Sequence, residues 1–138
     1  MKEYDPNGID QHEPGAKLDA GKARPELIFR GFSRALLEVA KVGTYGAAKY
    51  SDDGWEHVPN GVKRYTDAMY RHLLAEHSGE LLDKDTELLH AAHAAWNALA
   101  RLELALREGN KRLEDAKVVS DPHKYPLTGG LEINLGKP

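Results

Sequence analysis

In HAAHAAWN, His90, His93 and Asn97 fall three and four residues apart within an alanine-rich run, and Arg101 continues the spacing. On a helix these positions share one stripe. An imidazole ionises near neutral pH, so it can orient or deprotonate a water or bind a metal. His90, His93 and Asn97 are therefore the candidate catalytic residues. For any one histidine the plainer reading is a partly buried ring hydrogen-bonded to a neighbour. Four polar residues in register are harder to explain that way.

A second polar set lies upstream in RHLLAEHSGELLDKDTELLH. His72 and Glu76 are one helical turn apart, Glu80 and Asp83 are three residues apart, and Asp85 and Glu87 precede His90. Carboxylates at such spacings can converge on a hard divalent cation when two helical segments face each other. Glu80, Asp83 and Glu76 are the candidate ligands, with Glu38 from an earlier helix as a further one. Asp83, Asp85 and Glu87 are equally suited to capping the helix that follows and offsetting its dipole. Glu38 is equally readable as a solvated helix residue.

Two other stretches could meet a charged, planar ligand. GAKLDAGKARPEL sets Lys17, Asp19, Lys22 and Arg24 just before a helix start, where cations and free amides suit a phosphate. It lacks the GxxxxGK[ST] spacing of a phosphate-binding loop, and a solvated charged arm is the default. TYGAAKYSDDGW offers Tyr50 or Trp55 to stack on a base and Lys49 to meet a phosphate. The aromatics would serve as well to plug the end of a small core.

These residues must be placed by helices. Pro25 is suited to a first helical turn, and Leu27, Ile28, Phe32, Leu36, Val39 and Val42 recur at helical spacing. Gly43 and Gly46 are expected to interrupt that helix. A second runs from an Asn60 cap through Val62, Tyr65, Met69 and Leu73 to Gly79. A third begins near Thr86, carries Leu88, Ala92, Ala95, Leu99, Leu102 and Leu106 on one face, and stops at Gly109. With no convincing alternating strands, the expected fold is all-α: a small bundle of three main helices with an extended N-terminal arm and C-terminal tail. The 138 residues are read as a single domain, with a helical core over residues 15–108 and a tail over 109–138. Three helices bury little alone, so a homo-oligomer is expected.

The net charge of -3 excludes a general duplex binder, and no stable nucleic-acid binding is expected. No cysteine is present, so thiolate metal sites and disulfides are excluded. The opening MKEYDPNGIDQHEPG carries no apolar run and no segment has the length of a membrane span, so a soluble cytoplasmic protein is expected.

Taken in order, K-x-D-x-G-K-x-R (Lys17 to Arg24), E-V-A-K-V-x-x-Y-G-A-x-K-Y (Glu38 to Tyr50), G-W (Gly54, Trp55), R-Y (Arg64, Tyr65), R-H-L (Arg71 to Leu73), G-E-x-x-D (Gly79 to Asp83) and H-x-x-H-x-x-x-N (His90 to Asn97) resemble the phage-type dATP/dGTP diphosphohydrolase domain. That domain is associated with the MazG-like, all-α nucleotide pyrophosphohydrolases. The resemblance covers roughly residues 15 to 105. It implies metal-dependent hydrolysis of a purine deoxynucleoside triphosphate, dGTP or dATP, to monophosphate and pyrophosphate, in the host cytoplasm if the protein is phage-encoded.

The common MazG pattern uses ExxE on one helix and ExxD on the next. The corresponding region here holds His72, Glu76, Glu80 and Asp83, then His90, His93 and Asn97. On this resemblance Glu80, Asp83 and Glu76 are expected to hold Mg²⁺, or Mn²⁺, with His93 orienting or deprotonating the water. Lys17, Lys22, Arg24 and Arg71 would offset charge on the leaving pyrophosphate, and His72 would join them on the substrate. Three alternatives stay open: a non-catalytic dNTP-binding protein, a structural helical module, and a different metal-dependent phosphohydrolase. For the last, no histidine is followed directly by aspartate, so the HD signature is missing.

Overall fold

The computed structural model describes residues 2–109, so the expected tail lies outside the described residues from position 110 onward. The chain divides into two units, whose described parts are residues 2–25 and residues 26–109. In the first, the Asp5 carboxylate gathers the arm by accepting the amides of Asn7 at 2.7 Å and Lys17 at 2.8 Å. The Lys17 amide above all holds the Asp5 carboxyl below its ordinary pKa. The Ala20 amide reaches the Tyr4 carbonyl at 3.2 Å, and Lys22 pairs with Glu3 at 3.2 Å.

The second unit is helical, as the periodicity predicts. It contains α1 (Glu26–Gly31), α2 (Ser33–Lys49), a 3-10 turn (Gly54–His57), α3 (Gly61–His77) and α4 (His90–Arg107), with no strand among the described residues. The first predicted helix is in fact two. Phe32 leaves helical geometry at φ -116° and ψ 26°, although bonds from the Phe32 amide to Ile28 and from the Leu36 amide to Phe32 carry the chain across the break.

The expected interruption at Gly43 and Gly46 does not occur, and α2 continues to Lys49. Gly43 is a notch for a neighbour: a Cβ there would meet the Trp96 Nε1 at 3.2 Å. Gly61 does the same at the start of α3, where a Cβ would come within 2.6 Å of a Leu104 methyl. Around these notches Trp96 stands edge-on to Trp55 and Tyr65, with ring centroids 6.0 and 5.5 Å away, and the Tyr65 hydroxyl donates to the Trp55 carbonyl.

α4 is the central helix, packed on α3 and on α2. Its buried residues are Ala92, Ala94, Ala100 and Leu104 together with His90, His93 and Asn97. The leucines of the apolar face expected on this helix point outward, with Leu99 and Leu102 each 53% exposed and Leu106 46% exposed. Small alanines let the neighbouring helices approach, and that approach encloses the polar stripe beside them. No described helix is long and apolar enough to cross a membrane.

Candidate metal centre

The chain between α3 and α4 is folded back on itself. An isolated antiparallel bridge joins Leu82 to Leu89, the Asp83 amide donates to the Leu88 carbonyl at 2.8 Å, and the His90 amide donates to the Leu81 carbonyl at 3.1 Å. Glu87 makes the reversal with a left-handed φ of 59°. The helix predicted from Thr86 therefore starts at His90, and residues 83–89 form a tight loop.

The reversal carries Asp83 to the first turn of α4. Its Oδ1 accepts the amides of Asp85 at 3.0 Å and Thr86 at 2.9 Å, while its Oδ2 lies 4.0 Å from the His72 Nδ1 on α3. Burial alone would raise the Asp83 pKa, but the donors on Thr86 and Asp85 outweigh it and hold the carboxyl below its ordinary value. The loop thus fixes an ionised carboxylate with one oxygen committed and the other turned toward an imidazole.

Three imidazoles gather beside it. The His72 and His90 Nδ1 atoms share a hydrogen bond at 2.9 Å, so one carries the proton and the other accepts it. The rings of His72 and His93 stack at 4.4 Å and 7° from parallel. Burial first, then the neighbouring histidines, pushes the His72 pKa down to about 4. Burial also lowers that of His93. Both rings are neutral at pH 7, as a metal ligand or a proton acceptor must be.

His72, Asp83 and His90 each place one donor atom within 4.8 Å of the others, the span of a single ion's ligand shell. His90 is only 4% exposed, and its Nε2 makes no hydrogen bond although the Glu80 carboxylate stands 3.5 Å away. A buried imidazole nitrogen without a partner is rare in a finished core. The donor set fits a divalent cation.

The structure therefore brings together His72, Asp83, His90, Glu80 and His93, drawn from the expected substrate, metal and catalytic sets. Asn97 lies on the same buried stripe, with its amide donating to the His93 carbonyl at 2.8 Å. Glu76 is half-buried on α3 and Glu38 pairs with Lys41 at 2.7 Å on α2; neither belongs to the three-residue cluster. Arg71 is exposed on α3. Tyr50 is 77% exposed, with the Lys49 ammonium 5.2 Å from its ring centre. Trp55 belongs to the aromatic cluster and carries the Arg107 guanidinium on its ring at 5.4 Å. Lys17, Asp19, Lys22 and Arg24 belong to the arm.

Set beside known proteins, the region that builds this centre falls inside a recognised domain: the family described as dATP/dGTP diphosphohydrolase, N-terminal, matches residues 12–116. The chain belongs to this family. A dATP/dGTP diphosphohydrolase of Salmonella phage PMBT28 is 40% identical over 81 residues, which are 59% of this chain and 26% of that relative. The chain thus spans about a quarter of the relative's length. No solved structure matches the chain.

One residue of this domain was not among the expected site residues. Thr86 reads as a helix start, yet its hydroxyl shares a 2.7 Å hydrogen bond with the His93 Nε2, accepts the Leu88 amide at 3.2 Å, and sits beside the Asp83 carboxylate through its own amide. The signal was present as D-x-x-T, an aspartate three residues before an amide that it can accept.

Proposed function

We propose that this domain hydrolyses purine deoxynucleoside triphosphates, dGTP or dATP, between the α and β phosphates, releasing monophosphate and pyrophosphate in a reaction that requires a divalent metal. Membership of the dATP/dGTP diphosphohydrolase family supports the substrate class. The observation that carries the reading is the convergence of His72, Asp83 and His90 across α3, the reversed loop and α4.

In this reading His72, Asp83 and His90 hold the ion, and Glu80 orients His90 from the Nε2 side. A divalent ion at such a site polarises phosphate oxygens and acidifies a water. His93, kept neutral by burial, supplies a proton acceptor stacked against His72. Thr86 fixes the His93 ring by holding its Nε2. Arg71 on α3 is the cation proposed to offset charge developing on the pyrophosphate.

Product analysis tests this directly. The protein is incubated with each dNTP and NTP under Mg²⁺, Mn²⁺ or chelator. Pyrophosphate and monophosphate from dGTP or dATP, abolished by chelator, is the expected result. Triphosphate or single phosphates as product, or turnover unaffected by chelator, would exclude it.

We also propose that the chain self-associates. The outward Leu99, Leu102 and Leu106 form a continuous apolar strip on the central helix, a surface more typical of an interface than of a solvated face. A second copy in a symmetric pairing would cover it.

A further inference from the structure

We propose that His72, Asp83 and His90 form a mixed imidazole–carboxylate centre that selects a first-row transition ion such as Mn²⁺ or Co²⁺ over Mg²⁺, with Glu80 acting on the ion through His90. This rests on the reading of the cluster as a metal centre, and it is independent of which nucleotide is hydrolysed.

The donor chemistry is the first argument. Mg²⁺ is a small hard cation that takes oxygen ligands, keeps several waters and usually contacts one or two carboxylates. Two of the three converging protein donors here are imidazole nitrogens. Imidazole suits the borderline first-row ions, whose affinity for a nitrogen-containing site rises along the series from Mn²⁺. Replacing carboxylates by imidazoles also removes negative charge, on which binding of a hard ion depends most.

The second argument is that the ring of His90 is incomplete as the fold stands. Its Nδ1 faces the His72 Nδ1 at 2.9 Å, while its Nε2 is buried without a hydrogen bond, 3.5 Å from the Glu80 carboxylate. A ligating histidine commonly sends its other ring N–H to a carboxylate, which fixes the tautomer and raises the basicity of the ligating nitrogen. Between His72 and Glu80, His90 has the surroundings of such a ligand: a donor partner on one side and an orienting carboxylate on the other. Ion binding through Nδ1 would leave the Nε2–H for Glu80.

The third is preorganisation. Asp83 has its Oδ1 consumed by two backbone amides, so only Oδ2 remains to meet an ion, and the Leu82–Leu89 bridge fixes where it points. His72 is clamped by the stacked His93 ring at 4.4 Å, and that ring is held by Thr86. The site is therefore a rigid set of one oxygen and two nitrogens.

The test uses the untagged full chain, stripped with chelator and without nucleotide. Titration calorimetry with MnCl₂, CoCl₂ and MgCl₂ is expected to give one tight transition ion per chain, with Mg²⁺ weaker by about tenfold or more. Glu80→Gln should weaken Mn²⁺ binding about 10- to 100-fold. His72→Asp should narrow the gap between Mn²⁺ and Mg²⁺. Electron spin-echo spectroscopy of bound Mn²⁺ in the unmutated protein, which needs no variant to fold, should detect coupling to imidazole nitrogen. Mg²⁺ binding as tightly as Mn²⁺, no ion binding at all, or Mn²⁺ without nitrogen coupling would overturn the proposal. Tight nitrogen-coupled Mn²⁺ in a protein that turns over no nucleotide would sustain it while removing the hydrolase reading.

Discussion

His72 and His93 lie face to face across the α3–α4 interface, their rings 4.4 Å apart and 7° from parallel. Burial first, and then repulsion from the neighbouring imidazoles, disfavours protonated rings in this half-buried site. The folded protein accordingly favours neutral rings, and the His72 pKa falls from 6.5 to about 4. The unfolded chain binds the proton more readily, so stability rises with pH across that window. It is fully present above pH 6.5 and is lost as pH falls toward 4. The loss from His72 is at most about 3–4 kcal/mol, with His93 adding in the same direction. Urea unfolding of chelator-treated protein at pH 7, 5.5 and 4.5 should show the decline, and His72→Asn should flatten it. A midpoint unchanged between pH 7 and 4.5 would contradict this account.

Gly46 of α2 and Gly61 of α3 should respond oppositely to alanine. At Gly61 a Cβ would press on the Leu104 methyl at 2.6 Å, and Leu104 is itself buried, so Gly61→Ala should destabilise by about 1–3 kcal/mol. At Gly46 a Cβ meets nothing within 4 Å and the backbone is helical, so Gly46→Ala should stabilise by about 0.4–1 kcal/mol. Thermal melts of the two variants against the parent decide the matter. Equal shifts of the same sign would mean that α3 and α4 do not approach as closely as Gly61 implies.

The same residues show where the sequence was readable. Helical periodicity located every long helix, because an amphipathic pattern is a local property. Gly43 misled because glycine has two uses, breaking a helix or making room for a neighbour. Which one applies depends on Trp96, far away in the chain. The leucines at 99, 102 and 106 misled in the same way: periodicity finds a stripe without saying what lies against it. In the site, the stripe of His90, His93 and Asn97 was legible from spacing. The joining of His72 to Asp83 and His90 depends on the loop reversal at Leu82 and Leu89, which no local pattern announces.

The proposed self-association through the outward leucines is tested by the mass in solution. Light scattering after size exclusion should give a mass of at least twice the 15.3 kDa of the chain. Leu102→Glu, at a position already 53% exposed, should leave helical content intact and weaken association by about 2 kcal/mol or more. A parent protein that runs at its chain mass at all concentrations would leave the leucine strip without this explanation.

Asp83→Asn separates the chemistry of the centre from its architecture. Asparagine keeps a side-chain carbonyl that can accept the amides of Asp85 and Thr86, so the loop retains the contacts that shape it. What it removes is the anionic oxygen turned toward His72. If that oxygen holds the ion, turnover of dGTP or dATP should fall by more than about a hundredfold, with a near-normal melting temperature in chelator and much reduced thermal stabilisation by Mn²⁺. Thr86→Val should cost turnover less, by about 10- to 100-fold, because it frees the His93 ring without deleting a ligand, and Thr86→Ser should restore it. The ordering is the diagnostic. If Asp83 only caps the turn before α4, Asp83→Asn is nearly silent, and the loss at Thr86 would then reflect packing of the loop, which serine would not repair selectively.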